Sequence, residues 1–201
     1  MAEEELLPHY SSLTGSWVLD ISRSDTMAAY LRLLGTPEST IEALTAAEQA
    51  AQSRNAITLD DSQLAIYKHT AINHYTETFT LNEEHVIASD ASGTTQRYKV
   101  SLLNEGDMTG YRVEKRTTSS GGRDMSLVDS RRLEGHGHNH TQELNVRNNT
   151  TDTECTIVRT WVRVPMSNND LHRLGRCGVV YGDGRNWTTT TTMLFDGDGV
   201  R

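Results

Sequence analysis

Phenylalanine is nearly missing from this chain: of 201 residues only Phe79 and Phe195 carry it. Leu, Ile, Val and Phe together make up about a fifth of the residues, close to the limit below which chains lose a packed core. Cysteine is scarce too, and Cys155 and Cys177 are too few for a disulfide scaffold. No apolar run approaches the ~20 residues of a membrane span. Positive charge is in deficit. A net charge of -8 and a pI near 5.4 argue against nucleic acid as the main partner. The opening MAEEELLPHY is acidic and lacks an apolar core, so it does not read as a secretory signal. These absences together lead us to expect a soluble, cytoplasmic protein. The glycosylation-type triplets at Asn139, Asn148, Asn149 and Asn186 are then chance matches. The chain has no nucleophile elbow, phosphate loop or zinc-protease motif. We therefore expect no enzymatic activity, no cofactor and no functional metal.

What is present is alternation. Residues 13–21 (LTGSWVLDI) read as a strand. Ser24 or Asp25 then offers an N-cap, and Met27, Tyr30, Leu31 and Leu34 follow at helical spacing. Gly35 suits the helix C′ position. Pro37 suits the first turn of a second helix, capped by Thr36 and running to Ala50. From Asn55 onward the chain reads as short strands about eight to twelve residues apart, separated by turn clusters such as Asp60-Asp61-Ser62. The strands fall at 55–59, 64–72, 75–81, 86–89, 95–103, 110–117, 125–133, 140–146 and 153–164. This order predicts an all-β fold: an up-and-down antiparallel barrel of about ten strands, with a two-helix lid after the first strand. We divide the chain into a flexible acidic N-terminus (1–12), the barrel (13–165) and a Gly-, Asn- and Thr-rich tail (166–201) that adds little to the core. Asp60-Asp61 and Glu83-Glu84 read as turn chemistry.

The last strand, TECTIVRTWVRV, is the most informative stretch. Ile157, Arg159 and Trp161 share one parity, so a charge sits on the apolar side. A dry core has no place for an unpaired arginine, because burying it costs several kcal/mol. A wet interior holding an anionic ligand does have such a place. The plain alternative is that Arg159 faces solvent on a half-exposed strand.

Three short pieces, in this order and at these separations, resemble the intracellular fatty-acid-binding protein family of the calycin group. Leu13-Thr14-Gly15-Ser16-Trp17 resembles the family's F-x-G-T/S-W. Tyr30-Leu31-Arg32-Leu33-Leu34-Gly35 resembles its Y-M-K-x-L-G, and 155–161 resembles its closing strand with R-x-Y. The resemblance covers about 13–165. It implies a monomeric carrier that binds and transports a fatty acid or similar hydrophobic or amphipathic small molecule, with transient membrane contact. In the family, a last-strand arginine and tyrosine and a second arginine two or three strands back anchor the carboxylate. These map onto Arg159, Trp161 and, with one gap, Arg131; without the gap, Asp129 takes the last position. Asp129 and Arg131 share a parity, so both could face inward as a pair, and Asp129 is also a candidate partner for Arg159 in the empty protein. Trp161 departs from the family, since an indole can donate but cannot act as a hydroxyl. Met27 stands where the portal helix carries an aromatic residue, beside Tyr30 and Leu31 as further candidate ligand contacts. Cys155 has the inward parity of a buried structural thiol.

His136-Gly137-His138-Asn139-His140 is the densest group of potential metal ligands. Solvated hairpin histidines, an adventitious metal site and a functional metal or pH-sensing role are the open readings, of which we expect the first. His69, His74 and His85 lie in or beside other strands. The pH-sensing reading connects to an alternative function, an enzyme or pigment-binding barrel resembling those of dinoflagellate luciferases. That likeness is one of fold alone.

Overall fold

One strand, two helices and nine further strands follow each other in the computed structural model, which describes residues 11–70, 74–89, 93–104 and 107–170. Strand β1 spans Gly15–Asp20, helix α1 Ala28–Leu33 and helix α2 Glu38–Ala50. The remaining strands are β2 (Arg54–Leu59), β3 (Gln63–His69), β4 (His74–Thr80), β5 (Glu84–Ser89) and β6 (Thr94–Asn104). They continue as β7 (Asp107–Ser119), β8 (Asp124–Glu134), β9 (Asn139–Asn148) and β10 (Thr153–Val164). All ten form one antiparallel sheet in the order β4-β3-β2-β1-β10-β9-β8-β7-β6-β5, curled into a half-barrel. The all-β expectation holds, with the barrel left unclosed by hydrogen bonding. No ladder joins β4 to β5 among the described residues, and only the isolated Leu81–Val100 bridge spans that side.

Local chemistry explains the turns and moves two helix caps. The Asp60 carboxylate accepts from the backbone N–H groups of Ser62 at 2.8 Å and Gln63 at 2.7 Å, tightening the β2–β3 hairpin. Gly35 has φ +78, and the N–H groups of Gly35 and Thr36 reach back to the carbonyls of Arg32 and Leu31. This Schellman ending is what glycine permits. The expected cap at Ser24 or Asp25 is not used by α1. A 3-10 turn at Ile21–Arg23 intervenes, Ser24 closes that turn, and Asp25 Oδ2 accepts instead from Val158 N–H of β10. Helix α2 starts one residue later than expected, with Pro37 at the cap position and no side-chain cap from Thr36.

Alternation sorts every strand into two faces. Inside, Leu13, Trp17, Leu19, Ile57, Leu59, Leu64, Ile66, Phe79, Leu81, Val100, Tyr111, Val113 and Trp161 form one apolar cluster. Arg163 closes that end, donating to the carbonyls of Ser12, Thr14 and Gly137, each at 2.7 Å, and lying 4.1 Å from the Trp17 ring centre. A Cβ on Gly15 would meet Arg163 Nη1 at 2.3 Å, so the backbone there must be bare.

The expected tail boundary shifts. Met166 packs on the outer cluster of Ala56, Ala65 and Tyr67. Asp170 is buried, accepts from Ser16 Oγ at 2.9 Å and Ser167 N–H at 3.0 Å, and pairs with Arg54 at 3.5 Å. Met166–Asp170 therefore belongs to the barrel wall, contrary to a loose tail beginning at Met166. The rest of that expected tail, and the N-terminal residues 1–10, lie outside the described residues.

Candidate functional site

Register places the charged residues in tiers. Across β6 to β10, one tier runs Leu102–Tyr111–Arg131–Gln142–Arg159 and the next Val100–Val113–Asp129–Leu144–Ile157. A third runs Tyr98–Lys115–Leu127–Val146–Cys155. The Arg159 reading is thereby settled at the level of geometry: its side chain is inside and buried, not on the solvent face.

At the centre is a connected polar chain. Trp161 Nε1 donates to Gln142 Oε1 at 3.0 Å, and Gln142 Nε2 donates to Asp129 Oδ2 at 2.9 Å. Arg131 Nε and Nη2 reach the two Asp129 oxygens, both at 3.3 Å. Asn55 of β2, its amide turned to satisfy both neighbours, accepts from Arg131 Nη1 at 2.9 Å. Arg131 is 1% exposed and also faces the Tyr111 and Trp161 rings at 5.8 and 5.7 Å. Burial alone would lower its pKa, but the Asp129 carboxylate prevails and keeps the guanidinium charged. The paired alternative for Asp129 and Arg131 is therefore the one observed.

Arg159 does not pair with Asp129. Its Nη2 pairs with Glu48 of α2, while its Nε has no partner and its guanidinium lies 5.6 Å from the Trp161 ring centre. Arg131 takes both Asp129 oxygens from two residues away on the same strand face, leaving the second arginine for a carboxylate on the lid. Burial holds the Arg159 pKa below its usual value, with Glu48 resisting.

Further out, Lys68 of β3 pairs with Glu77 of β4 at 2.5 Å, and these inward side chains remain 21% and 15% exposed. Burial opposes both charges, yet each partner's charge wins, raising the Lys68 pKa and lowering that of Glu77. Lys115, Leu127, Tyr98, Tyr75 and Cys155 are likewise inward by parity yet half-buried. Inward positions that keep solvent access mark the part of the half-barrel that stays open. Cys155 is thus less enclosed than expected, and burial pushes its thiol pKa up. Leu31 is buried under α1; Met27, directly before the helix, and Tyr30 are half-buried. Tyr30 lies over the open end, near enough to Tyr75, Cys155 and Lys68 for their charges to bear on its hydroxyl, whose pKa burial raises.

The histidines separate. His136 sits at φ +56 in the turn Gly135–Gly137, so the three do not share a strand face. His140 is 0% exposed, edge-on to Trp17 at 4.4 Å and stacked on Trp161 at 5.8 Å. Neither of its ring nitrogens has a hydrogen-bond partner. Burial, reinforced by Arg131 and Arg163, drives its pKa well below the usual imidazole value. The solvated-hairpin reading is therefore wrong for His140, and the described residues contain no group of three metal-ligating side chains.

Sequence reasoning missed Glu48, Gln142, Asn55 and the inward pair Lys68–Glu77. Strand parity could have exposed Gln142 and Lys68, which alternate with apolar neighbours. Glu48 left no such signal, because its role depends on how the lid sits on the barrel.

Neither protein-family models nor curated protein sequences give a match. Solved structures do. A structure titled REP1-NXSQ fatty acid transporter aligns with a TM-score of 0.53 at 17% identity, covering 77% of this chain and 98% of its own. A Schistosoma mansoni fatty acid binding protein in complex with arachidonic acid aligns at 0.50 and 17% identity, covering 78% and 99%. Human cRBP IV aligns at 0.50 and 16% identity, covering 77% and 100%. The chain therefore has the fold of the fatty-acid- and retinol-binding barrels.

Proposed function

We propose that the protein binds and carries a hydrophobic or amphipathic small molecule inside the half-barrel, without chemical turnover. One observation carries the reading: a fully bonded polar chain from Trp161 to Arg131 lies against a continuous apolar cluster, beneath inward side chains that remain accessible. A wall of this kind suits a ligand with an apolar body and a polar end. Met27, Tyr30 and Leu31 would border its entry. Arg131, Asp129 and Trp161 would form a fixed polar floor, with Arg159, held by Glu48, beside it. The neighbours in fold are binding proteins, and a fatty acid is the ligand we favour.

The test is native mass spectrometry of protein purified from its source, followed by displacement of Nile red by oleate and by oleyl alcohol. A retained amphiphile and saturable displacement would support the reading. Failure of both probes to displace the dye, together with an empty native protein, would refute it.

A further inference from the structure

The inward charges of the half-barrel do not balance. Apart from Arg163, whose guanidinium donates to three backbone carbonyls at the closed end, Lys68, Lys115, Arg131 and Arg159 are cationic; Glu77, Asp129 and Glu48 are anionic. Three pairs account for six of the seven: Lys68–Glu77, Arg131–Asp129 and Arg159–Glu48. Lys115 is left over, and the described residues bring it neither a hydrogen bond nor an ion pair. It stands in the open tier, flanked in register by Tyr98 on β6 and Leu127 on β8, and remains half-buried. Two residues along β7 lies Val113, which belongs to the apolar cluster with Val100 and Phe79.

We propose that Lys115 is the head-group anchor of this barrel and that its ligand is an anionic amphiphile, held head-outward at the open tier. This rests on the binding function proposed above and specifies its ligand class. The deep arginines already carry carboxylates, so an anion placed there must first break an existing pair. At Lys115 it breaks nothing. One negative charge gives Lys115 the counter-charge that Lys68, Arg131 and Arg159 already have. Tyr98, opposite Lys115 in register, presents a hydroxyl to the same head. The state of the lysine fits: burial lowers its ammonium pKa, only partly countered by Glu77 and worsened by Lys68. A bound carboxylate would restore the lost stabilisation of its charge.

The experiment is displacement of Nile red by oleate and oleyl alcohol from wild type, Lys115→Met, Lys115→Arg and Arg159→Leu. A charge-assisted hydrogen bond predicts that Lys115→Met weakens oleate by about 10- to 100-fold and leaves the alcohol within about threefold. Lys115→Arg should restore most of the oleate affinity. Unchanged oleate affinity in Lys115→Met, or equal losses for acid and alcohol, overturns the anchor while leaving the binding function standing. Oleate loss confined to Arg159→Leu moves the anchor to the deep arginine and also overturns it. Failure of wild type to bind either probe overturns the anchor together with the function on which it rests.

Discussion

Arg131→Met is the sharpest test of the polar chain. In the native protein Asp129 and Arg131 are 6% and 1% exposed and satisfy one another through two contacts. Removing the guanidinium leaves the carboxylate with Gln142 Nε2 as its remaining donor. Breaking a buried pair from one side costs about 3–5 kcal/mol. For a chain of this size that lowers the melting temperature by about 6–20 °C. Adding Asp129→Leu removes the orphaned charge. The lost Asn55 contact is common to both variants; beyond it the double variant retains only the loss of Gln142's acceptor, about 1–3 kcal/mol. It should therefore be more stable than Arg131→Met alone, although it carries one more substitution. Urea titration followed by tryptophan fluorescence measures this, since Trp161 is bonded into the same chain. A double variant as unstable as the sum of the two single losses would refute the reasoning, because it would show that the two charges do not compensate each other.

Other outcomes follow from the same geometry. Glu48→Gln leaves the buried Arg159 without its carboxylate and should cost about 1–3 kcal/mol; urea titration measures it, and an unchanged midpoint would show that the pair adds nothing to stability. His140 is neutral in the fold, with a pKa well below 6.5. The unfolded chain therefore takes up the proton first as pH falls below that value. Stability is then full above pH 6.5 and declines below it by up to about 1.4 kcal/mol per pH unit until the folded-state pKa is reached. His140→Leu should remove that one-proton slope in chemical denaturation between pH 7 and pH 5; an unchanged slope would assign it to another group. Asp170→Ala strips the bonds to Ser16 and Ser167 and the pairing with Arg54, and should cost about 1–3 kcal/mol. A melting temperature within a degree of wild type would return Met166–Asp170 to the status of a loose tail.

The element order was legible because each strand alternates and each turn carries its own chemistry. Thr153–Val164 is the clearest case, its boundaries matching the expectation. The inward direction of Arg159 was legible for the same reason. Its partner was not, because Glu48 reaches it across 111 positions of sequence, from a helix whose placement no periodicity encodes. His140 was misread because glycines on either side of His136 mark a turn. The turn ends at Gly137, and three residues later the strand carries His140 between two tryptophans. Asp170 was hidden by composition: a polar stretch reads as solvated unless a buried serine and an arginine are known to await it.

The seam between β4 and β5 gives the half-barrel an adjustable girth. Elsewhere, prising two strands apart breaks a ladder of backbone hydrogen bonds, each worth about 0.5–1.5 kcal/mol. At the seam the walls are held by the isolated Leu81–Val100 bridge, where Asn82 N–H donates to the Val100 carbonyl, and by side chains, including the edge-on meeting of Phe79 and Tyr98 at 5.2 Å. Such a pair is worth about 0.5–1.5 kcal/mol in all. Swelling of the interior is therefore concentrated along this one line, like the expansion joint of a pipe. A bulkier guest of the kind proposed above would break only the few contacts of the seam, whereas the remaining circumference would keep its ladders.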